Sequence, residues 1–230
     1  MDNFIFKDIS SESFNIIVNS LPTISKPAMR VQETVIDGVD GSIIEELGYE
    51  NYEKKVKITI TKNNIDEIIK WLNGEGDLVL SNEPDKYYKA KVIGQINFDR
   101  LMKYQPTEII FRVQPFKYEH QEEITNSSIE DVTEIVVVNK GNYISKPIIK
   151  ITGSGTIVFT INGNALFNYT FPDGEDTVII DSQKQDAYLG TVLKNRNMSG
   201  EFPVLEVGEN IITWEGTISN IEISSKSRWL

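Results

Sequence analysis

The pattern of the chain changes at one seam, and that change limits what it can fold into. Ahead of residue 111, strand-like alternation is mixed with a single helix-like stripe; past residue 151 only strands and turns can be read. Within the seam, Ile109-Ile110-Phe111-Arg112-Val113-Gln114-Pro115-Phe116 reads as a strand, followed by the polar run Glu119-His120-Gln121-Glu122-Glu123-Ile124-Thr125-Asn126-Ser127-Ser128. Strand chemistry resumes at Glu134-Ile135-Val136-Val137-Val138, turns at Asn139-Lys140-Gly141-Asn142, and continues through Lys146-Pro147-Ile148-Ile149-Lys150-Ile151. A polar gap between runs of different periodicity marks a domain joint. Two domains are expected, 1–125 and 126–230, and 230 residues suffice for two cores of about 100–130 residues each.

The first half predicts an α+β domain, antiparallel sheets plus one helix. Phe14-Asn15-Ile16-Ile17-Val18 is a short apolar run stopped before Pro22, which has no N–H to give a ladder. Residues 29–36 form a second strand that runs into Asp37-Gly38-Val39-Asp40-Gly41, a doubled Asp-Gly signal for a hairpin or loop. The acids there lack the further spaced oxygens and distal glutamate of a calcium loop. Lys55-Val56-Lys57-Ile58-Thr59-Ile60-Thr61 alternates strictly, so one face is buried and one wet. Ile65, Ile68, Ile69 and Leu72 then fall on one helical stripe, capped by Asn63 or Asn64 and ended by Gly74 and Gly76. Asp66 and Glu67 in its first turn and Lys70 in its last suit the helix dipole. Asp77-Leu78-Val79-Leu80, residues 87–93 and residues 108–113 complete the sheet, with a turn at Glu83-Pro84-Asp85-Lys86.

The second half predicts a β-sandwich of short strands. Asn162-Gly163, between residues 156–161 and 164–169, is the dipeptide that a tight hairpin prefers. Further strands are read at 177–181, 211–214 and 218–224, with a loop at Gln183-Lys184-Gln185-Asp186. The whole chain is therefore mainly β with one helix.

Charge and composition narrow the function. Net charge is −11, with 15 basic against 21 acidic side chains in 1–125 and 8 against 13 in 126–230. Acidity spread this evenly repels a phosphate backbone and argues against sequence-specific nucleic-acid binding. No apolar run approaches the roughly 18–20 residues that span a bilayer, so no membrane insertion is expected. The N-terminus lacks a basic stretch ahead of an apolar one, so synthesis and assembly in a cytoplasm are expected. The chain has no cysteine and a single histidine, His120. A serine triad would have only that base, and a zinc site lacks both thiolates and a second imidazole. Gly153-Ser154-Gly155 leads into a strand and lacks the third glycine of a dinucleotide fingerprint. No pair among the 34 acids is singled out for glycoside cleavage. No enzyme activity, cofactor or metal is expected. An alternative function, a carbohydrate-binding module, would use Trp214 and Trp229 as stacking platforms in the sandwich.

Several stretches resemble one family when taken in order. They are Ile36-Asp37-Gly38-Val39-Asp40-Gly41, Pro84-Asp85-Lys86-Tyr87-Tyr88-Lys89-Ala90 and Phe111-Arg112-Val113-Gln114-Pro115-Phe116-Lys117-Tyr118 in the first half. In the second half they are Asn139-Lys140-Gly141-Asn142-Tyr143-Ile144-Ser145-Lys146-Pro147, Phe202-Pro203-Val204-Leu205-Glu206-Val207-Gly208-Glu209-Asn210 and the ending Arg228-Trp229. Their order and spacing resemble the distal tail (Dit) proteins of long-tailed phages, the hub between tail tube and baseplate. The resemblance implies an N-terminal domain that closes into a homo-hexameric ring and a C-terminal galectin-like β-sandwich. It implies a virion tail-tip location, with the tail tube protein, a tail-associated protein and a receptor-binding protein as partners. Larger members carry carbohydrate-binding insertions for which this chain has no room, so a connector role is implied. DNA would pass through an acidic lumen without sticking. The loop Val35, Ile36, Asp37, Gly38, Asp40 and Gly41 is the expected contact between copies, because unpaired strand edges invite pairing.

Overall fold

The computed structural model describes residues 2–61, 64–97, 105–121, 124–128 and 134–230; Asn63, Glu122 and Glu123, singled out above, lie outside the described residues. The chain divides into two compact units, Met1–His120 with Leu230 and Gln121–Trp229.

In chain order the first unit holds β1 (Phe4–Phe6), β2 (Ile9–Ser10), β3 (Ile16–Ser20), β4 (Met29–Val35), β5 (Ser42–Tyr49), β6 (Tyr52–Ile60), α1 (Ile65–Leu72), β7 (Glu75–Leu80), β8 (Glu83–Val92) and β9 (Gln105–Glu119). Seven of these strands make one antiparallel sheet, β2-β1-β7-β8-β9-β6-β3, while β4 and β5 form a separate ribbon. The period-2 alternation sets the faces: Val56, Ile58 and Ile60 of β6 are buried, and Glu53, Lys55 and Lys57 point to water. The sheet curls around its apolar side. On a flat sheet β1 would lie about 14 Å from β9, three strand spacings away. Yet the Phe4 and Phe6 rings sit 5.6 and 5.4 Å from the Phe111 ring, centroid to centroid.

Helix α1 closes the curled sheet with Ile65, Ile68, Trp71 and Leu72. Trp71 stacks on Phe14 at 4.5 Å and on Phe4 at 5.5 Å, and its indole N–H donates to the Phe6 carbonyl at 2.8 Å. Asn64 occupies the cap position without capping; its side-chain amide donates to the Phe14 carbonyl instead, at 3.3 Å. The helix ends at Leu72, Gly74 follows with φ +90°, and Gly76 is already within β7. The turn expected at Glu83-Pro84-Asp85-Lys86 lies at Ser81-Asn82, and Glu83 opens β8. The reason is a side chain: Glu83 is buried with Lys117 and Tyr88, which fixes it inside the sheet.

The second unit holds β10 (Ile124–Ser128), β11 (Glu134–Asn139), β12 (Ile148–Ile161), β13 (Asn164–Thr170), β14 (Thr177–Asp181), β15 (Asp186–Leu189), β16 (Val192–Leu193), β17 (Met198–Gly200), β18 (Gly208–Ser224) and β19 (Arg228–Trp229). The expected sandwich of short strands is built differently. Two long strands, β12 and β18, pair along most of their length and run through both layers. One layer is β11-β18-β12-β13-β17; the other is β10-β18-β12-β14-β15-β16. Their inner faces share one core that includes Ile149, Ile151, Phe159, Val178, Trp214 and Ile221. The register between β12 and β18 breaks between Thr152 and Gly153 and again between Ser154 and Val158, where the strands pass from layer to layer. Asn162 and Gly163 take φ +51° and +79°, the two positive values of the expected hairpin turn.

Two buried asparagines organise the turns that carried the resemblance. Asn139 donates to the Tyr143 and Leu205 carbonyls at 3.0 and 3.3 Å and accepts from the Gly141 amide at 3.0 Å. Asn210, fully buried, donates to the Glu206 and Gly208 carbonyls and accepts from the Glu206 amide and the Asn162 side chain, all between 2.9 and 3.1 Å. Every polar site of that amide is used, so Asn210→Ala orphans several buried groups at once. We expect it to destabilise the second unit by roughly 2–4 kcal/mol in urea denaturation.

Candidate functional site

The ribbon β4–β5 stands outside both cores. No residue between 29 and 49 belongs to either buried cluster, and nearly all of them are exposed. The register runs from Met29 opposite Tyr49 to Val35 opposite Ser42. Seven exposed aliphatic residues line it, namely Val31, Val35, Ile36, Val39, Ile43, Ile44 and Leu47, with Val35 70% exposed. Charge is equally one-sided: residues 29–50 carry six acids and one base, Arg30. A two-stranded hairpin is barely stable alone in water, and clustered exposed aliphatic residues mark a surface that another body covers.

The expected contact residues sit at the end of this ribbon. Val35 ends β4, and Ile36, Asp37, Gly38, Asp40 and Gly41 form the connecting turn, where the Val39 amide donates to the Ile36 carbonyl at 3.2 Å. Gly38 and Gly41 take φ +80° and +88°, conformations that side chains resist. The foot of the ribbon is tied down. Lys54 donates to the Thr23 carbonyl at 2.7 Å, the Asn82 amide to Pro22 at 3.1 Å, and the Glu50 amide to Ala28 at 2.8 Å. An open groove of about 450 Å³ lies at that foot, walled by Arg30, Tyr49, Glu50, Arg112, Gln114 and Pro115. Arg112 points outward from β9, in register with Glu53 on one side and Lys91 on the other. Those neighbours turn elsewhere, Glu53 to Lys55 at 3.7 Å and Lys91 to Glu75 at 3.4 Å.

The other concentration of ionisable groups is buried. Lys117 donates to Glu83 at 2.8 Å, the Tyr88 hydroxyl donates to the other Glu83 oxygen, and the Lys54 ammonium lies 5.3 Å from both the Tyr52 and Tyr88 ring centres. Burial lowers the Lys54 pKa, and the nearby Glu83 charge partly restores it. Tyr52 is pushed up to about 12 by burial first and by Glu83 second. Lys117 and Glu83 are committed to each other inside the sheet and Lys54 to the Thr23 carbonyl in the segment ahead of the ribbon, so this cluster holds the fold. Sequence periodicity carried the signal for it: Lys54 is in phase with Val56, Ile58 and Ile60, and Lys117 with Ile109, Phe111 and Val113. Arg30 and Arg112 carried no such signal, because only the fold brings the ribbon foot beside β9.

The remaining residues of interest are dispersed. His120 is exposed, with its backbone amide on the Asp85 carbonyl at 2.9 Å. Trp214 is 7% exposed and belongs to the second core, opposite Phe159 in the ladder, so its faces are packed away from any sugar. Trp229 is half-buried in β19. Among the described residues no three acidic or imidazole side chains converge as a metal site, and no helix is long and apolar enough to cross a membrane.

No protein-family model matches the chain. No curated protein matches it either. Solved structures do. The SPP1 Dit (gp 19.1) protein, described as a paradigm of the hub adsorption apparatus in phages infecting Gram-positive bacteria, superposes with a TM-score of 0.73 at 13% identity, covering 100% of both chains. A chain of the phage p2 baseplate in its strontium-activated conformation matches at 0.52 and 10% identity over 97% of each chain. The calcium-activated baseplate gives 0.53 at 10% identity over 100% of this chain and 99% of that one. From end to end, this chain has the fold of a phage Dit hub.

Proposed function

We propose that this protein is a structural hub of a phage tail tip, a distal tail protein that joins the tail tube to the baseplate. The N-terminal domain, 1–125, closes into a homo-hexameric ring; the C-terminal domain, 126–230, is a galectin-like sandwich that holds a tail-associated or receptor-binding protein. The observation that carries the reading is the end-to-end match to the SPP1 hub with both chains fully covered. The exposed, acidic and apolar ribbon β4–β5 supports it, since an assembly gives that surface the cover that the single chain withholds. Six chains at −11 each surround any central channel with negative charge, which lets DNA slide through. The protein works in the virion tail tip and is assembled in the host cytoplasm, as a connector and not an enzyme.

Native mass spectrometry with light scattering tests this. A species near six times 26.1 kDa is expected as concentration rises. Replacing residues 31–46 by a tight turn is expected to leave the melting temperature unchanged and the chain monomeric. A wild-type chain that stays monomeric at every concentration contradicts the ring.

A further inference from the structure

We infer that the turn at the end of the ribbon in one copy seats in the groove at the ribbon's foot in the next copy, so that the ring is bonded head to tail. This rests on the ring reading above and names its contact. The turn offers two exposed carboxylates, Asp37 and Asp40, each following an exposed aliphatic side chain, Ile36 and Val39. The groove offers two guanidiniums, Arg30 and Arg112, and the Gln114 amide, over a wall made by Tyr49 and Pro115. Arg30 is already steadied by its bond to the Leu47 carbonyl at 2.9 Å, which leaves the rest of its five donors for a ligand. Glu50, the single acid on the wall, does not offset two guanidiniums, so the groove is a positive site on a chain of net charge −11. Guanidiniums paired with carboxylates in such a setting give orientation as well as attraction.

Geometry makes the contact intermolecular. The seven residues of β4 separate the turn from the foot by about 20 Å along a paired ribbon, so a turn does not reach its own groove. Turn and groove are different surfaces, and every copy carries one of each. Such a heterologous pair propagates from copy to copy and closes when the rotation between copies closes. Gly38 and Gly41 let the chain take the two positive-φ conformations that set Asp37 and Asp40 at the tip.

The absence of native cysteine gives a direct test. The double variant Asp37→Cys/Arg112→Cys is expected to yield a ladder of covalently linked copies under mild oxidation, on a non-reducing gel, with neither single variant doing so. In a second arm, the turn reversal Asp37→Arg/Asp40→Arg and the groove reversal Arg30→Glu/Arg112→Glu are each expected to raise the concentration needed for assembly about 100-fold or more. Mixing the two reversed proteins is expected to restore the ring with alternating copies, because each then meets its opposite charge. A wild-type ring that keeps its mass under both reversals and gives no ladder overturns this contact and leaves the ring standing. Loss of the ring on groove reversal without rescue by the turn-reversed partner also overturns it. A monomeric wild type removes the ring reading itself.

Discussion

Glu83→Ala is expected to destabilise the first unit by roughly 3–5 kcal/mol, read as a fall in the urea midpoint at unchanged slope. The carboxylate is 7% exposed and sits between Lys117, itself 5% exposed, and the Tyr88 hydroxyl. Removing it leaves two buried ammoniums, Lys117 and Lys54, without their countercharge. A buried pair adds little net stability over an apolar replacement, but half a pair is expensive. The double variant Glu83→Leu/Lys117→Met removes one of the two stranded ammoniums and is therefore expected to be milder than Glu83→Ala, with Lys54 carrying the remaining loss, and Tyr88→Phe to lose only about 1 kcal/mol. A Glu83→Ala loss under about 1 kcal/mol would mean that water reaches the cluster and screens it. The same groups set the alkaline limit. Tyr52, at about 12 against an ordinary 10.0, and Tyr88, raised by burial and its bond to Glu83, keep their protons in the folded unit where the unfolded chain gives them up. Stability is thus lost as pH climbs from about 10 toward 12. Lys54 acts in the opposite sense at lower pH, since its folded pKa is depressed and stability rises as pH passes through that value.

Much of what depends on alternation and turn chemistry was legible in the sequence, the displaced turn ahead of β8 excepted. The inward residues of β6 and the Asn162-Gly163 turn follow from spacings of two or of three and four residues, and so do Ile65, Ile68 and Leu72 of α1. The helix faces the core a little to one side of the expected stripe, however, burying Trp71 and leaving Ile69 49% exposed. The doubled Asp-Gly marked the ribbon tip for the same reason: two positive-φ positions need glycine. β1 escaped notice because Phe4-Ile5-Phe6 is too short to show a period. The groove could not be read at all. Its walls come from residues 30, 49–51, 112, 114 and 115, and only the pairing of β4 with β5 and of β6 with β9 brings them together.

The long strands show how a readable pattern can mislead. Residues 211–214 and 218–224 look like two strands because Glu215-Gly216-Thr217 looks like a turn. Both belong to β18, and the clue is a change of phase. Asn210, Ile212 and Trp214 are buried at even positions, whereas Ile221 and Ile223 are buried at odd ones. A strand that changes phase without reversing has a bulge in it, and a bulge is what bends one strand from layer to layer. β12 keeps its odd phase across Gly153-Ser154-Gly155, but its register with β18 breaks there, so the glycines that fail as a nucleotide motif succeed as a corner.

Gly216→Ala is the sharpest test of that corner, with an expected loss of roughly 3 kcal/mol or more in the second unit. A Cβ there would stand 2.5 Å from the Thr156 carbonyl oxygen and 3.1 Å from the Ile157 Cα, both backbone atoms, and φ is +99°. Neither obstacle yields to a rotamer change. Gly153 has the clash without the strained φ, since its Cβ would meet the Thr217 carbonyl oxygen at 2.3 Å. Gly155 has the positive φ, +70°, without the clash, because nothing lies within 4 Å. The three alanine variants therefore separate the two causes, and the order expected is Gly216 first, Gly153 next and Gly155 last, at about 1–2 kcal/mol. Trp214, buried beside the bend, reports each transition through its fluorescence in denaturant. If Gly216→Ala proves as mild as Gly155→Ala, the two strands do not touch at the bend. The sandwich must then be two separate sheets and not one sheet folded over its two longest strands.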